Sequence, residues 1–444
     1  MEKIKISKDK MIKIKDIIIF ILLLLWMIMP IFQTIKAINN IIQITNIYFI
    51  LMKTIAIVGI GTGILTFYDK LKKSDDKKHI LKDFLPIGIF IIYMCWTLIS
   101  CYKAPIPKQA FYGNSYRKEG YFMYINYAGF FFCAFMLENK KLRKALLNTF
   151  LITSVFLMSI NRICLNGQRF TNIFENTEID KSVFHQFNHY GYYLMMSLIC
   201  AVGLFIKEKN KMLKVLYLFF YILIGYALIY NDTFGCYLAT AVFLIMYGIY
   251  ALIKKTDRKE IFIAIAIFVL LSGITFKNDV NLSYKNLSGF FNDIKTIVCK
   301  VMNIEIEGEE IEEKFEKAGT HRMKLWKLGI QFALERPIFG YGPDNLKTWY
   351  LMREVDQDRP HNLIIYLSCV SGFPGMIIYV TAVGIIVIKG IKRLFNNNKQ
   401  GTIYLIIVIT YLISSMFGNS MYYTSPYFFI FLGSLMYYNL YDKE

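Results

Sequence analysis

Charge is scarce in this chain. Charged residues make up 19% of its 444 positions, against the ~25% of ordinary soluble domains, while hydrophobic residues reach 56% before the 27 glycines are added. The solvated surface of about three soluble domains would be hard to build from this composition. Cysteine is present without a pattern: Cys95, Cys101, Cys133, Cys164, Cys200, Cys236, Cys299 and Cys369 give neither a disulfide framework nor a C-x-x-C metal site. A P-loop, a G-x-G-x-x-G before a helix and an H-E-x-x-H are all missing, which argues against an ATP-driven pump and a zinc hydrolase. No zinc-finger spacing, RNP-like aromatic run or helix-turn-helix pattern accompanies the net charge of +19, so that charge is not a nucleic-acid footprint.

What is there instead is a series of apolar blocks at roughly 17–35, 47–68, 85–101, 121–137, 145–160, 188–206, 215–231, 234–253, 261–275, 361–388, 402–417 and 427–440. Short lysine-rich segments separate many of them, the pattern of a polytopic membrane protein. The expected fold is all-α, with about twelve crossings and one large extracytoplasmic loop. Residues 1–275 would hold nine crossings, 276–360 the loop with amphipathic helices, and 361–444 a broken segment and the last crossings. With a cytoplasmic N terminus, the inside segments carry 29 Lys and Arg against 13 Asp and Glu, a positive-inside signal that puts both termini in the cytoplasm. The first block is followed by no small-residue cleavage site and reads as a retained helix. Gly59, Gly61 and Gly63 lie in an apolar crossing and read as close helix packing sites.

The central stretches of the blocks are nearly free of ionisable residues, and no internal repeat is evident, which disfavours a transporter. Polar groups gather in four outer segments: 102–120 with Arg117, Lys118 and Glu119; 161–187 with Arg162, Arg169 and His185, next to His189; 231–233 with Asp232; and 276–360. The last begins with the sequons Asn281 and Asn286 and a glutamate run from Glu305 to Glu316, which lacks the order of an EF-hand loop and reads as a solvated helix. Leu325, Leu328, Phe332 and Ile338 then fit a helical apolar stripe, broken by Pro337, Gly340, Gly342 and Pro343. Arg359 and His361 fall where water meets the next apolar block. Gly372, Pro374 and Gly375 divide that block into a short dipping segment and a crossing, a geometry that brings polar chemistry to membrane depth.

Four stretches in order, YGNSYRKEGYF, FNHYGYYL, HRMKLWKLGIQFALERPIFGYGPD and RPHNLIIYLSCVSGFPG, together resemble the bacterial O-antigen ligase and polysaccharide polymerase superfamily over nearly the whole chain. The resemblance implies an integral glycosyltransferase of the bacterial cytoplasmic membrane acting on glycans carried by undecaprenyl pyrophosphate at the outer leaflet. A polymerase joins one lipid-linked repeat to another; a ligase moves the glycan to a terminal acceptor. It also implies no cofactor and no metal, a lipid-linked donor and acceptor as partners, and flippase and chain-length regulator proteins as neighbours. His361 stands at the place of the family's essential histidine, as base or acceptor orienter. Arg322 and Arg117 match basic positions suited to pyrophosphate, and Arg359 serves as a second clamp. Trp326 and Tyr341 would stack on sugars or anchor the loop. Where ligases often carry a Ser-Arg pair, this chain reads NDTFG, which tilts the reading toward polymerase and leaves Asp232 as a substitute contact. In-line displacement would invert the anomeric centre. A flippase of lipid-linked sugars is the non-enzymatic alternative.

Overall fold

The computed structural model describes residues 8–73, 76–162, 173–175, 181–184, 186–278, 289–302, 315–319, 321–396, 398–419 and 421–441. Asn281, Asn286, Arg169, His185, Cys164 and all but the last glutamate of the Glu305–Glu316 run lie outside them. Within them the chain forms helices and no strand.

All twelve apolar blocks fold as helices. In order the helices are α1 (Lys8–Thr34), α2 (Lys36–Thr45), α3 (Ile47–Lys73), α4 (Lys77–Asp83), α5 (Leu85–Lys103), α6 (Pro107–Tyr112), α7 (Tyr121–Met136), α8 (Lys140–Ile160), α9 (Phe187–Lys207), α10 (Lys211–Tyr230), α11 (Phe234–Lys254), α12 (Arg258–Asn278), α13 (Gly289–Val301), α14 (Arg322–Glu335), α15 (Leu346–Leu351), α16 (Leu363–Phe395), α17 (Thr402–Ser414) and α18 (Ser425–Tyr441). Eight of these, not twelve, are long and apolar enough to cross a membrane: α1, α3, α5, α8, α9, α10, α11 and α16. Tyr121–Met136 and Thr402–Ser414 are apolar but shorter, below the ~20 residues needed to span a ~30 Å hydrocarbon layer.

Helices apolar on every face belong in the interior. Every residue of α9 from His189 to Phe205 is buried, as is nearly all of α18; α9 packs against α8, α10 and α17, and α18 against α7, α16 and α17. Close approach is set by small residues. A Cβ on Gly59 would stand 2.2 Å from the Gly129 carbonyl oxygen, so α3 and α7 touch backbone to backbone. Gly63 faces Phe132 in the same interface, whereas Gly61 faces open space.

The lysine-rich segments meet at one end of the bundle. Lys15 pairs with Glu138, Lys144 with Glu208, Lys214 with Glu260 and Lys399 with Asp257. Each pair joins two segments that the lysine count assigns to one side. At ~1.5 Å per residue, the start of α9 lies about 30 Å from this end, and the polar outer segments gather there.

Helix α16 is two helices joined by a break at Gly372, where φ is +68° and ψ is 173°. Three carbonyls just before the break are satisfied from elsewhere. Tyr341 N–H donates to the Cys369 carbonyl (2.8 Å) and Gly342 N–H to Val370 (2.9 Å), while the Trp96 indole N–H donates to Ser371 (2.9 Å). Phe373 N–H returns a bond to Pro337 O (2.8 Å). The stretch Pro337–Gly342 thus docks in the break, which requires glycine on both sides: a Cβ on Gly372 would meet Ile338 O at 2.1 Å, and one on Gly340 would meet Cys369 O at 2.4 Å. Helix α14 ends at Glu335, so Ile338 is not part of its stripe and is exposed. Leu325 and Phe332 instead share a small core with Tyr350, Tyr366 and Cys369, which ties this part of the loop to α16.

Two substitutions in α16 should therefore differ in sign. Gly372→Ala forces a side chain into a left-handed position without space and should lower stability by at least ~1–3 kcal/mol. Gly384→Ala, where nothing lies within 4 Å of the new methyl, should raise it by roughly 0.5–1 kcal/mol through helix propensity. Melting in detergent checks both; equal melting temperatures would contradict the account.

Candidate active site

Three outer segments converge above α9: 109–120, 336–362 and residues 415–419 with 421–425. Asp344 fastens the first to the second. It follows Gly340 and Gly342, both at positive φ, and is itself left-handed at φ 59°, a conformation that aspartate tolerates better than most residues. Its buried carboxylate accepts Asn114 N–H (2.7 Å), the Asn114 side-chain amide (3.0 Å) and Glu119 N–H (3.3 Å). Arg359 completes the set, donating from Nη2 at 3.2 Å.

Arg359 is 1% exposed. A guanidinium so deep needs compensation: its Nη1 lies 4.0 Å from Glu119 Oε2, and its plane sits 4.6 Å from the centre of the Tyr366 ring, a cation–π contact. Arg117 is held bidentately by Asp358, its Nε bonded to Oδ2 and its Nη2 to Oδ1 (2.9 Å). Arg117 and Arg359 outweigh burial and hold the Asp358 carboxyl below its ordinary value. Glu119 behaves oppositely. It is 1% exposed, and burial lifts its pKa to about 7 despite Arg359 nearby and a hydrogen bond from the Tyr127 hydroxyl.

His361 sits one residue before the helix cap, at φ 55°. Asn362 fixes the boundary: its side-chain oxygen accepts Ile365 N–H (3.1 Å), a standard N-cap bond, and its amide donates to Met416 O (3.2 Å). The imidazole Nε2 lies 3.2 Å from the Asn419 amide nitrogen and 3.4 Å from Gln357 Oε1. Burial first, then the charges of Arg322 and Arg117, pull its pKa down to about 4. The histidine is therefore neutral at physiological pH but far less basic than a free imidazole, which corrects the expectation of a base near its unperturbed pKa.

Beneath this cluster lies an aromatic-lined cavity of about 60 Å³. Tyr93, Tyr127, Tyr379, Tyr411, Phe428 and Phe429 form its depth, and Glu119, Arg359, Asn362 and Asn419 line it as well. Such a chamber, mostly apolar with a few convergent polar groups, is a usual form of a small-molecule or glycan site.

The residues singled out from the sequence divide as follows. His361, Arg322, Arg117 and Arg359 come together, close enough for all three guanidinium charges to act on the imidazole. Arg322 makes no side-chain hydrogen bond or ion pair among the described residues, unlike Arg117 and Arg359, which are locked to carboxylates. The Trp326 ring stands 6.3 Å from Phe417, and its indole nitrogen is buried without a partner among the described residues. Tyr341 does not line the cavity: it is buried against Phe332 and Trp349, and its hydroxyl donates to Glu335 (2.6 Å). It packs within the loop and not on the cavity wall. Asp232 is exposed in a left-handed turn, while its neighbours Asn231 and Thr233 bond the Phe187 carbonyl at the start of α9 (3.1 and 3.2 Å).

Asp344, Asp358, Asn419 and Glu119 are the site residues that motif reading passes over. A weak signal existed for three of them, since Asp358 precedes Arg359, Asp344 follows Pro343 and Glu119 follows Lys118; Asn419 had none. His189, set aside as an aromatic-belt residue, is buried with both ring nitrogens unpartnered among the described residues, and Arg117, Arg359, Asp358 and His361 are its titratable neighbours. Among the described residues no group of three metal-ligating side chains comes together.

If cations hold the His361 pKa down, removing one or adding an anion must raise it. In ¹⁵N-histidine NMR the native ring should titrate at about 4. Arg322→Gln, or saturation with inorganic pyrophosphate, should move that midpoint upward toward the ordinary ~6.5. A native midpoint already near that value, or no movement in either case, would contradict this picture.

Residues 218–380 match the family model described as O-antigen ligase, and no curated protein matches the chain. The matched stretch runs from α10 to the first turns beyond the break in α16, and so contains Arg322, Trp326, Asp344, Arg359 and His361; Arg117 and Glu119 lie outside it and reach the site only through the fold. Over residues 218–380 this membrane-integral helical chain is therefore similar to the O-antigen ligase family.

Proposed function

We propose that the protein is a membrane glycosyltransferase that extends undecaprenyl-pyrophosphate-linked oligosaccharides, joining repeat units on the outer face of the cytoplasmic membrane without nucleotide or metal. The observation that carries the reading is the convergence of Arg322, Arg117 and Arg359 on His361, with Arg359 also lining an aromatic-rich cavity. Four polar groups of this kind suit a pyrophosphate, whose oxygens accept charge-assisted bonds from guanidinium forks. An aromatic chamber beside them suits sugar faces. The outward assignment is supported by the lysine pairs, which gather at the far end of the bundle.

In the proposed reaction the acceptor hydroxyl oxygen bonds to the anomeric carbon as the bond from that carbon to the pyrophosphate breaks. The electron pair leaves with the lipid pyrophosphate, and the hydroxyl proton passes to a protein base. Arg322, open among the described residues, takes the largest share of the developing phosphate charge. Arg117 and Arg359 already hold carboxylates and act mainly by keeping the cradle positive and rigid. His361, neutral before the donor arrives, hydrogen-bonds a phosphate or acceptor oxygen and becomes more readily protonated as the anion binds. Attack opposite the leaving group inverts the configuration.

The NDTFG turn leans the reading toward polymerase. The family description favours transfer to a terminal acceptor, and that ligase reading stays open beside it.

Purified protein incubated with synthetic undecaprenyl-pyrophosphate oligosaccharide, with EDTA and without nucleotide, should yield a ladder of longer glycans of inverted linkage. Arg322→Gln and His361→Ala should each slow extension by about 10²–10³-fold, the range typical of losing one stabilising or proton-handling group. No ladder, but transfer to an added terminal acceptor, would make the protein a ligase. Neither product, with lipid-linked glycan moved across vesicles, would make it a flippase.

A further inference from the structure

Whatever is bonded in the cavity needs a proton acceptor within reach, and the cavity wall offers few. Among the described residues its lining contains one carboxylate, Glu119; the remaining polar groups there are amides, hydroxyls and the Arg359 guanidinium. His361 is not part of that wall. It stands behind Asn362 and Asn419, which do line the cavity. We propose that Glu119 receives the proton of the acceptor hydroxyl, and that Arg359 and Tyr127 position its carboxylate for this. The assignment rests on the glycosyl-transfer reading above and divides the site in two, with the pyrophosphate on the His361–Arg322 side and the acceptor sugar in the chamber.

The geometry is that of a held carboxylate with one side free. Tyr127, from α7, donates its hydroxyl to Oε1, and Arg359 lies 4.0 Å from Oε2, long for an ion pair and loose enough to admit a hydroxyl. Asp344 sits behind the backbone, accepting the Glu119 N–H at 3.3 Å. The charged groups facing the carboxylate are Arg359, Asp344 and Arg117, and the tyrosines around it are Tyr124, Tyr127, Tyr366, Tyr411 and Tyr422. That surround is nearly balanced in charge, so burial dominates and the carboxyl titrates at about 7. His361, facing three arginines, is pulled to about 4. A general base works best when its pKa lies near the working pH, which favours the carboxylate over the imidazole.

The bonds balance. The acceptor O–H bond breaks as oxygen bonds the anomeric carbon, the proton goes to Glu119, and the lipid pyrophosphate departs with its electron pair. Glu119 then releases the proton to water before the next cycle.

The test is the pH dependence of extension by the detergent-purified protein. Activity of the native protein should rise with pH through a midpoint near 7, where Glu119 ionises. Glu119→Gln keeps the size and one acceptor oxygen for Tyr127 but removes the charge and the basic oxygen; it should lower kcat by about 10²–10⁴-fold, leave the donor KM within a few-fold and remove that midpoint. Glu119→Asp keeps a carboxylate one methylene further back, and should retain the limb with a shifted midpoint and a smaller loss. It serves as the deciding variant if Glu119→Gln does not fold. A native protein that makes no product overturns the glycosyl-transfer reading and this assignment with it. An active native protein whose Glu119→Gln variant keeps kcat within a few-fold, or keeps the limb at lower activity, overturns the assignment alone. So does a limb that survives in Glu119→Asp unchanged but vanishes in His361→Ala.

Discussion

At Gly372 helix α16 loses its continuity, and the carbonyls of Cys369, Val370 and Ser371 are left to find donors outside their own helix. In a membrane-embedded chain such groups cannot turn to lipid, and each orphan would cost several kcal/mol. The stretch Pro337–Gly342 supplies two donors and Trp96 the third. This repair fixes the position of the outer loop. Because Gly342 is docked, Asp344 two residues on is placed over the 109–120 segment; because Asp344 is placed, Arg359 and Asn114 have their partner. The front of α16, capped by Asn362, then carries His361 against Asn419, behind the cavity wall.

The charges above this break follow from the same constraint. Arg359, Asp344 and Glu119 are nearly inaccessible to water, and buried ions survive only with partners. The network pairs Arg117 with Asp358 and Arg359 with Asp344 across more than fourteen residues of chain in the closest case, and it leaves two departures from balance. One is an excess of positive charge around Arg322 and His361; the other is a carboxylate, Glu119, whose nearest cation is 4.0 Å away. An anion suits the first, and a proton-sharing role suits the second. The site is thus built from what a structural network leaves over.

Much of this was legible from residue patterns. Each apolar block became a helix because runs of Leu, Ile, Phe and Tyr of that length leave the backbone no alternative in an apolar medium. The break at GFPG was legible because glycine and proline change backbone options locally. The pairs Lys15–Glu138, Lys144–Glu208 and Lys399–Asp257 bear out the grouping of lysine-rich segments on one side, since charge is expelled from the apolar layer to its nearest end. The count of twelve crossings was less secure. Tyr121–Met136 and Thr402–Ser414 are buried among other helices, and a helix surrounded by protein can be shorter than one surrounded by lipid.

The sequence by itself determined the helical class, the lysine-rich end, the broken helix and the neighbourhood of His361 and Arg322, because each is a property of residues within a few positions of one another. The tertiary structure alone decided which arginine is open and which is locked, that Tyr341 packs within the loop while Asp232 faces solvent, and that Glu119 lines the cavity. The placing of Glu119 and Arg117 depends on partners 225 and 241 residues away, Asp344 and Asp358. Ionisation follows the same division: it is set by burial and by the sum of nearby charges, and neither exists until the chain has folded.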